Sequence, residues 1–287
     1  MATGPRDLGT LRAARASRDL WLLDLVLPEI GGGRLTESDL DQVVVPPTAT
    51  ALRVSGLDQD TFDAVLARFG HRFTAIQFWK CPRVADLTAL EGHPQLELVS
   101  FYWNQRATRL WDLSRNPRLT GLHFDDFTRL HELDDLACAT SVRELRFGDA
   151  VWDTSVFASL APLASLTGLR VLAFSAKRID DRRVDPLAAL QGLDELQFAS
   201  NQFTTEQVAW LRARLPDSLQ SESLAAMRTL SRPIARAGKQ LDVRLVGKRK
   251  PFLDSTRDAA RIARQVQDFD RMVEQFRADP AAPAPEG

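Results

Sequence analysis

One short pattern recurs along the middle of this 287-residue chain and constrains what it can fold into. Phe73, Ile76 and Phe78 stand in the order apolar-x-x-apolar-x-Phe. The same spacing returns at Leu96, Val99 and Phe101, at Leu119, Leu122 and Phe124, and at Val142, Leu145 and Phe147, so that the closing Phe recurs every 23 residues. Leu169, Leu172 and Phe174 follow 27 residues later, Leu193, Leu196 and Phe198 after 24 more, and Ala49, Leu52 and Val54 precede Phe78 by 24, making seven copies. Self-similarity at a period of roughly 20–30 residues marks a solenoid, in which each unit buries its apolar face only against its neighbours.

Within a copy, the stretch from 73 to 79 alternates. Ile76 and Phe78 are expected to point inward, Ala75, Gln77 and Trp79 outward, as on a short strand. A return segment follows, with Leu residues three apart, such as Leu130, Leu133 and Leu136. That spacing suits a 3₁₀ turn packed behind the strand. Stacked copies then place about seven strands side by side in one curved parallel sheet, an α/β arrangement with helical caps.

These residues resemble the leucine-rich repeat proteins, whose consensus opens L-x-x-L-x-L-x-x-N. Here it reads Leu193-x-x-Leu196-x-Phe198-x-x-Asn201 and Leu96-x-x-Val99-x-Phe101-x-x-Asn104. The chain departs from that consensus in two ways. Phe fills the third apolar position in six copies, and the Asn position holds Leu57, Cys81, Phe127, Ala150 or Lys177 elsewhere. The asparagine ladder is thus mostly replaced, and a stack of Phe rings, each contributing ~2–3 kcal/mol on burial, is expected to compensate. The resemblance implies recognition of a protein partner.

The repeats divide the chain into an N-terminal cap at 1–48, a solenoid at 49–216, a C-terminal capping region at 217–278 and a Pro/Ala-rich tail at 279–287 expected to be disordered. In the cap, residues 11–27 have helix-compatible spacing, and Gly31-Gly32-Gly33 and Pro46-Pro47 read as breaks. Asp58 is expected to cap a helix through Phe62, Val65, Leu66 and Phe69 that Gly70 ends, and Thr204 with Gln207 forms a capping box for another through Leu215. Residues 224–234 read as a helix, 241–245 as a strand, and a helix from Ser255 carries Ile262, Val266, Phe269, Val273 and Phe276 on one stripe.

Composition narrows the function classes. Lys plus Arg number 37 and Asp plus Glu 38, a balance that gives no global attraction to nucleic acid or anionic membrane. Two widely separated cysteines, Cys81 and Cys138, argue against a disulfide-built secreted module and for a cytoplasmic, reducing setting. The basic N-terminus, with Arg6, Arg12, Arg15 and Arg18 before Leu20-Trp21-Leu22-Leu23, looks superficially like an export signal, but Asp24 interrupts the apolar run and no small-x-small site follows. No stretch is apolar enough to span a bilayer.

The outward strand positions define the candidate site. A central row reads Arg53, Gln77, Ser100, His123, Arg146, Ala173, Gln197, and the next reads Ser55, Trp79, Tyr102, Asp125, Gly148, Ser175, Ala199, with Trp103 just beyond. Trp79, Tyr102 and Trp103, rimmed by Arg53, Gln77, His123, Asp125 and Arg146, have the composition of a protein-binding hot spot on the concave face. The half ending in Ala173, Ser175 and Ala199 reads as small and bland. His123, Asp125, Asp126, His131 and Glu132 do not converge as metal ligands, since strand and return segment face opposite sides. No nucleophile constellation or phosphate loop is present, so neither cofactor nor enzymatic activity is expected. The segment 228–250 carries Arg228, Arg232, Arg236, Lys239, Arg244, Lys248, Arg249 and Lys250 against Asp242, a local charge of +7. It supports an alternative reading as a nucleic-acid-associated adaptor. The favoured reading is a solvated face docked on solenoid acids, because no stacking aromatics interleave the charges.

Overall fold

The structure, a computed structural model, describes residues 2–5, 21–219, 221–236 and 239–287. The repeats form one sheet. After β1 (Ala2–Pro5) come β2 (Trp21–Leu25), β3 (Ala51–Ser55), β4 (Ala75–Trp79), β5 (Leu98–Asn104), β6 (Gly121–Phe127) and β7 (Glu144–Gly148). A two-residue β8 (Val156–Phe157) is followed by β9 (Val171–Ser175), β10 (Arg178–Ile179) and β11 (Glu195–Gln197). The sheet order is β1-β2-β3-β4-β5-β6-β7-β9-β11, parallel from β2 onward, while β8 and β10 pair as a small second ladder. Each return segment contains a 3₁₀ turn, as at Thr88–Gly92, Asp134–Cys138 and Ala161–Ser165. The chain is a leucine-rich-repeat solenoid in fold.

Register explains the Phe spacing. Phe78, Phe101, Phe124, Phe147 and Phe174 are partners of one another in successive strands, so their rings pile up in one core. Phe78 stacks on Phe101 at 4.6 Å, Phe124 on Phe147 at 5.4 Å and Phe147 on Phe174 at 5.5 Å. Between Phe101 and Phe124, the Phe127 ring stands edge-on to both, at 5.6 and 5.7 Å. Phe127 occupies an asparagine position of the consensus, so an aromatic edge there replaces a hydrogen-bonded rung. Where Asn104 is kept, it does the expected work: its amide donates to the Cys81 and Val84 carbonyls and its oxygen accepts from the Arg106 and Ala107 amides. One repeat on, the buried Asp126 carboxylate accepts from the Ala150, Val151 and Trp152 amides.

The caps differ from expectation in instructive ways. Residues 6–20, which include Arg6, Arg12, Arg15, Arg18 and the first part of the expected helix, lie outside the described residues. The remainder of the expected cap helix is strand β2, pairing Leu22 with Ala51 and Leu23 with Leu52. Leu22 and Leu23 are both buried, one on each face, and an apolar run buried on both sides carries no alternation to distinguish it from a helix. Two helices follow in this part of the chain: α1 (Glu37–Asp41), capped by Thr36, and α2 (Gln59–Phe69), capped reciprocally by Asp58 and Thr61. Gly70 ends α2 with right-handed backbone, so its need for glycine is spatial: a Cβ there would stand 2.5 Å from the His93 ring. The Gly31-Gly32-Gly33 loop packs backbone to backbone, Gly32 against the Lys80 carbonyl and Gly56 against Gly32 and Gly33.

At the other end, α3 (Thr205–Arg214) begins at the Thr204–Gln207 capping box. The helix expected at 224–234 is instead strand β12 (Met227–Arg236), antiparallel to β13 (Lys239–Leu245), with β14 (Phe252–Leu253) on the far side. Pro233 and the lack of an apolar helix stripe leave this segment to its cross-strand partner, whose Leu241-Asp242-Val243-Arg244-Leu245 alternation sets the pairing. The helix α4 (Ala259–Ala278) buries Ile262 against Val243, Leu245 and Leu253, and Phe269 and Val273 in the main core. The tail at 279–287, read from composition as disordered, lies along α3. The Trp210 indole N–H donates to the Ala282 carbonyl at 3.0 Å and the Gln207 amide to the Pro285 carbonyl at 3.1 Å. A proline-rich segment offers carbonyls freely, and α3 presents side-chain donors to them. Among the described residues no helix is long and apolar enough to cross a membrane.

Candidate functional site

The face of the sheet opposite the Phe column, the expected concave face, is built from every second strand residue. Register places Arg53, Gln77, Ser100, His123 and Arg146 in one row and Ser55, Trp79, Tyr102, Asp125 and Gly148 in the next. In the second row Trp79 and Tyr102 stack at 4.3 Å with ring planes 20° apart, and the Arg53 guanidinium lies 4.9 Å over the indole. The Lys80 ammonium adds a second cation at 5.7 Å. Both rings are half-buried. Asp24, on β2, balances Arg53 at 3.9 Å.

Trp103 stands apart from this pair. The residue after each second-row position turns left-handed, at Gly56, Lys80, Trp103 and Asp126 (φ 71°, 55°, 65° and 54°), which carries Trp103 out of the row; its buried indole N–H has no acceptor. Gln77 and His123 are 9% and 5% exposed and Ser100 fully buried, so the middle of the central row is packing rather than open surface. Side chains on parallel strands stand only ~4.8 Å apart, and a Ser between a Gln and a His is overshadowed by both.

His123 links the two rows. Its Nδ1 meets the Ser100 hydroxyl at 3.2 Å and its Nε2 meets the Asp125 carboxylate at 2.5 Å. The connectivity Ser–His–Asp is that of a nucleophile with its base and orienting acid, yet a nucleophile must reach a substrate atom at about 3 Å. With no exposed surface on Ser100, the arrangement instead fixes the ring and the Asp125 carboxylate in place.

Farther along, Arg146 donates from Nε to the Glu144 carboxylate at 2.9 Å, with Glu195 at 3.6 Å from Nη2. Glu144 is fully buried. Both acids stand two residues before central-row positions, on the same face, so extending the alternation one step N-terminal finds them. The half of the face that reads as bland in sequence holds a cavity of about 340 Å³ lined by Arg146, Asp149, Ala173, Ser175, Ala199 and Arg228. Small side chains are what open it. Gly148 (φ 114°) lies so close to the next strand that a Cβ would fall 1.7 Å from the Ser175 carbonyl oxygen. Asp149 Oδ2 is buried here without a donor. On the platform beside it, burial, with Asp126 and Asp125 near, pushes the Tyr102 phenol above its ordinary range.

The remaining candidates separate. His131 faces the other side of the solenoid, its Nδ1 at 2.8 Å from the Val156 carbonyl oxygen. Among the described residues no three His, Cys, Asp or Glu side chains group closely enough to hold a metal ion. Cys81 is buried, and burial pushes its thiol up to about 12, far from a reactive thiolate.

No protein-family model and no curated protein matches this sequence. Among solved structures, the chain is similar to an internalin C2 of Listeria monocytogenes, at 18% identity and a TM-score of 0.42 over 65% of this chain and 73% of that one. It is also similar to the internalin InlF of the same organism, at 17% identity and a TM-score of 0.42 over 61% of this chain and 54% of that one. The fold assignment rests on this chain's own strand order and repeat register.

Proposed function

We propose that this chain is a non-enzymatic recognition module that holds a protein partner against the open face of its repeat sheet, centred on Trp79 and Tyr102. The observation that supports the reading most is the stack itself: two half-buried aromatic rings held parallel, with Arg53 over one and Asp125 beside the other. Rigid aromatic area inside a charged rim binds at little entropic cost, because few rotamers are lost. The cavity beyond Asp125 gives the partner a recess to enter next to this platform. Two free thiols suit work in the cytoplasm, where such groups stay reduced.

Affinity capture with the intact chain, a Trp79→Ala/Tyr102→Ala variant and an Arg109→Ala control on the opposite side tests this. At least one protein, identified by mass spectrometry, should be held by the intact chain and the control and lost by the double variant, whose circular dichroism stays unchanged. An identical set on all three baits would overturn the proposal.

A further inference from the structure

The basic segment at 228–250 takes no part in the open-face site, apart from Arg228 at the cavity edge. Among the described residues, none of these charges pairs with an acid of the solenoid. Residues 231–236 are all exposed, on a two-stranded ribbon formed by β12 and β13. Arg228 reaches Glu222 at 3.0 Å, but among the described residues Arg232, Arg236, Lys248 and Arg249 form no ion pair. Like charges are held together instead. Arg228 and Arg244 are direct cross-strand partners, an arrangement that costs stability. Burial and the neighbouring Arg228 lower the affinity of Arg244 for its proton, and burial and Arg182 do the same at Lys248.

The register also decides the shape of the charged surface. Arg228 and Arg244 share one face of the ribbon. Arg236, in step with Ile234 and Leu241, lies on the other. A flat anionic bilayer meets charges on one face of a ribbon only, whereas a ribbon set in a groove lies between two phosphate walls, within reach of long Arg side chains leaving either face. The B-form major groove, about 12 Å wide, admits a two-stranded ribbon, and A-form RNA presents a groove too narrow for it. The base of the ribbon is packed on β14 and α4, and the exposed residues 231–236 project from it over about 20 Å at ~3.4 Å per residue, some half a helical turn of DNA. No aromatic ring is exposed on β12 or β13 to stack on bases, so single strands gain nothing there.

We propose that the β12–β13 ribbon and the adjoining Lys248–Arg249 turn bind the phosphate backbone of double-stranded DNA, without sequence preference. This surface is separate from the open face, and each can fail without the other.

The test is fluorescence anisotropy of a labelled DNA duplex of about 20 base pairs, titrated with the full chain over a range of salt. Micromolar binding at low salt is expected, with log K falling against log[salt] at a slope of about −4 to −6 for some five to seven phosphate contacts. Arg232→Gln/Arg236→Gln/Lys248→Gln/Arg249→Gln, all at exposed positions, should weaken binding at least ~10-fold and flatten the slope by about 3 to 4, with melting temperature and partner capture unchanged. Equal duplex binding by the variant and the parent would overturn the proposal. So would absence of duplex binding at low salt, tighter binding of a thymidine single strand than of the duplex, or a charge-dependent preference for phosphatidylserine vesicles over the duplex.

Discussion

Replacing Phe101 by Ala interrogates the column that joins the repeats. The ring is 1% exposed and touches three others: Phe78 stacked at 4.6 Å, Phe127 edge-on at 5.6 Å and Trp111 at 6.4 Å. Truncating such a side chain removes its transfer free energy and leaves a cavity, typically ~3–5 kcal/mol together, a total that includes lost aromatic pairs worth ~0.5–1.5 kcal/mol each. The hole cannot close easily, because β4 and β6 are hydrogen-bonded to β5 on either side and hold the walls apart. We therefore expect about 4–5 kcal/mol, roughly a quarter or more of the stability of an ordinary domain. Since repeats contact only their neighbours, the loss should also uncouple the N-terminal repeats from the rest and broaden or split the transition. Urea unfolding followed by tryptophan fluorescence reads both effects, with Trp111 beside the lesion and Trp210 in α3 far from it. Trp79→Ala is the comparison: its half-exposed ring loses the Tyr102 stack and the Arg53 and Lys80 contacts, about 1–2 kcal/mol. A cost below about 1.5 kcal/mol for Phe101→Ala, or an equal cost for Trp79→Ala, would refute the column as the structural spine.

Two further outcomes follow from the buried and charged groups. An aromatic disulfide reagent should label the exposed Cys138 in the folded chain and reach Cys81 only as fast as the protein unfolds, since burial holds that thiol near 12; rapid labelling of both would contradict the packing of β4. The Asp254 carboxylate accepts from the Arg257, Thr256 and Gln240 amides, and these bonds, led by that of Arg257, hold its pKa below the ordinary carboxylate value. A depressed folded-state pKa means stabilisation that is complete above the unfolded value of about 3.9 and disappears as pH falls through the folded one. The melting-temperature difference between the parent and Asp254→Asn should thus be constant above about pH 5 and shrink below about pH 4; a difference that persists in acid would show that charge is not involved.

Local spacing was enough to establish the repeat, the Phe at its inward position, the parallel stacking, and the helices begun by Asp58 and Thr204. Each is specified within one period of chain, because strand alternation and capping boxes act between residues a few positions apart. The outward rows are legible for the same reason: the repeat spacing alone makes Trp79 and Tyr102 neighbours, and the structure stacks their rings.

Contacts between distant segments decided the rest. Leu22 and Leu23 became a strand because β3 offered an edge, and 227–236 paired with β13 where its own pattern reads as a helix. The tail's carbonyls accept from the Trp210 indole and the Gln207 amide, a pairing that composition cannot express. The open face shows the limit most clearly. Alternation says that Ser100, His123 and Ala173 share a row, but whether a row position is sealed or open depends on the heights of the side chains one strand to either side. Ser100 is closed over by its neighbours, while Ala173, Ser175 and Ala199 stand together and leave a cavity. That difference is a property of three strands at once, and no single repeat encodes it.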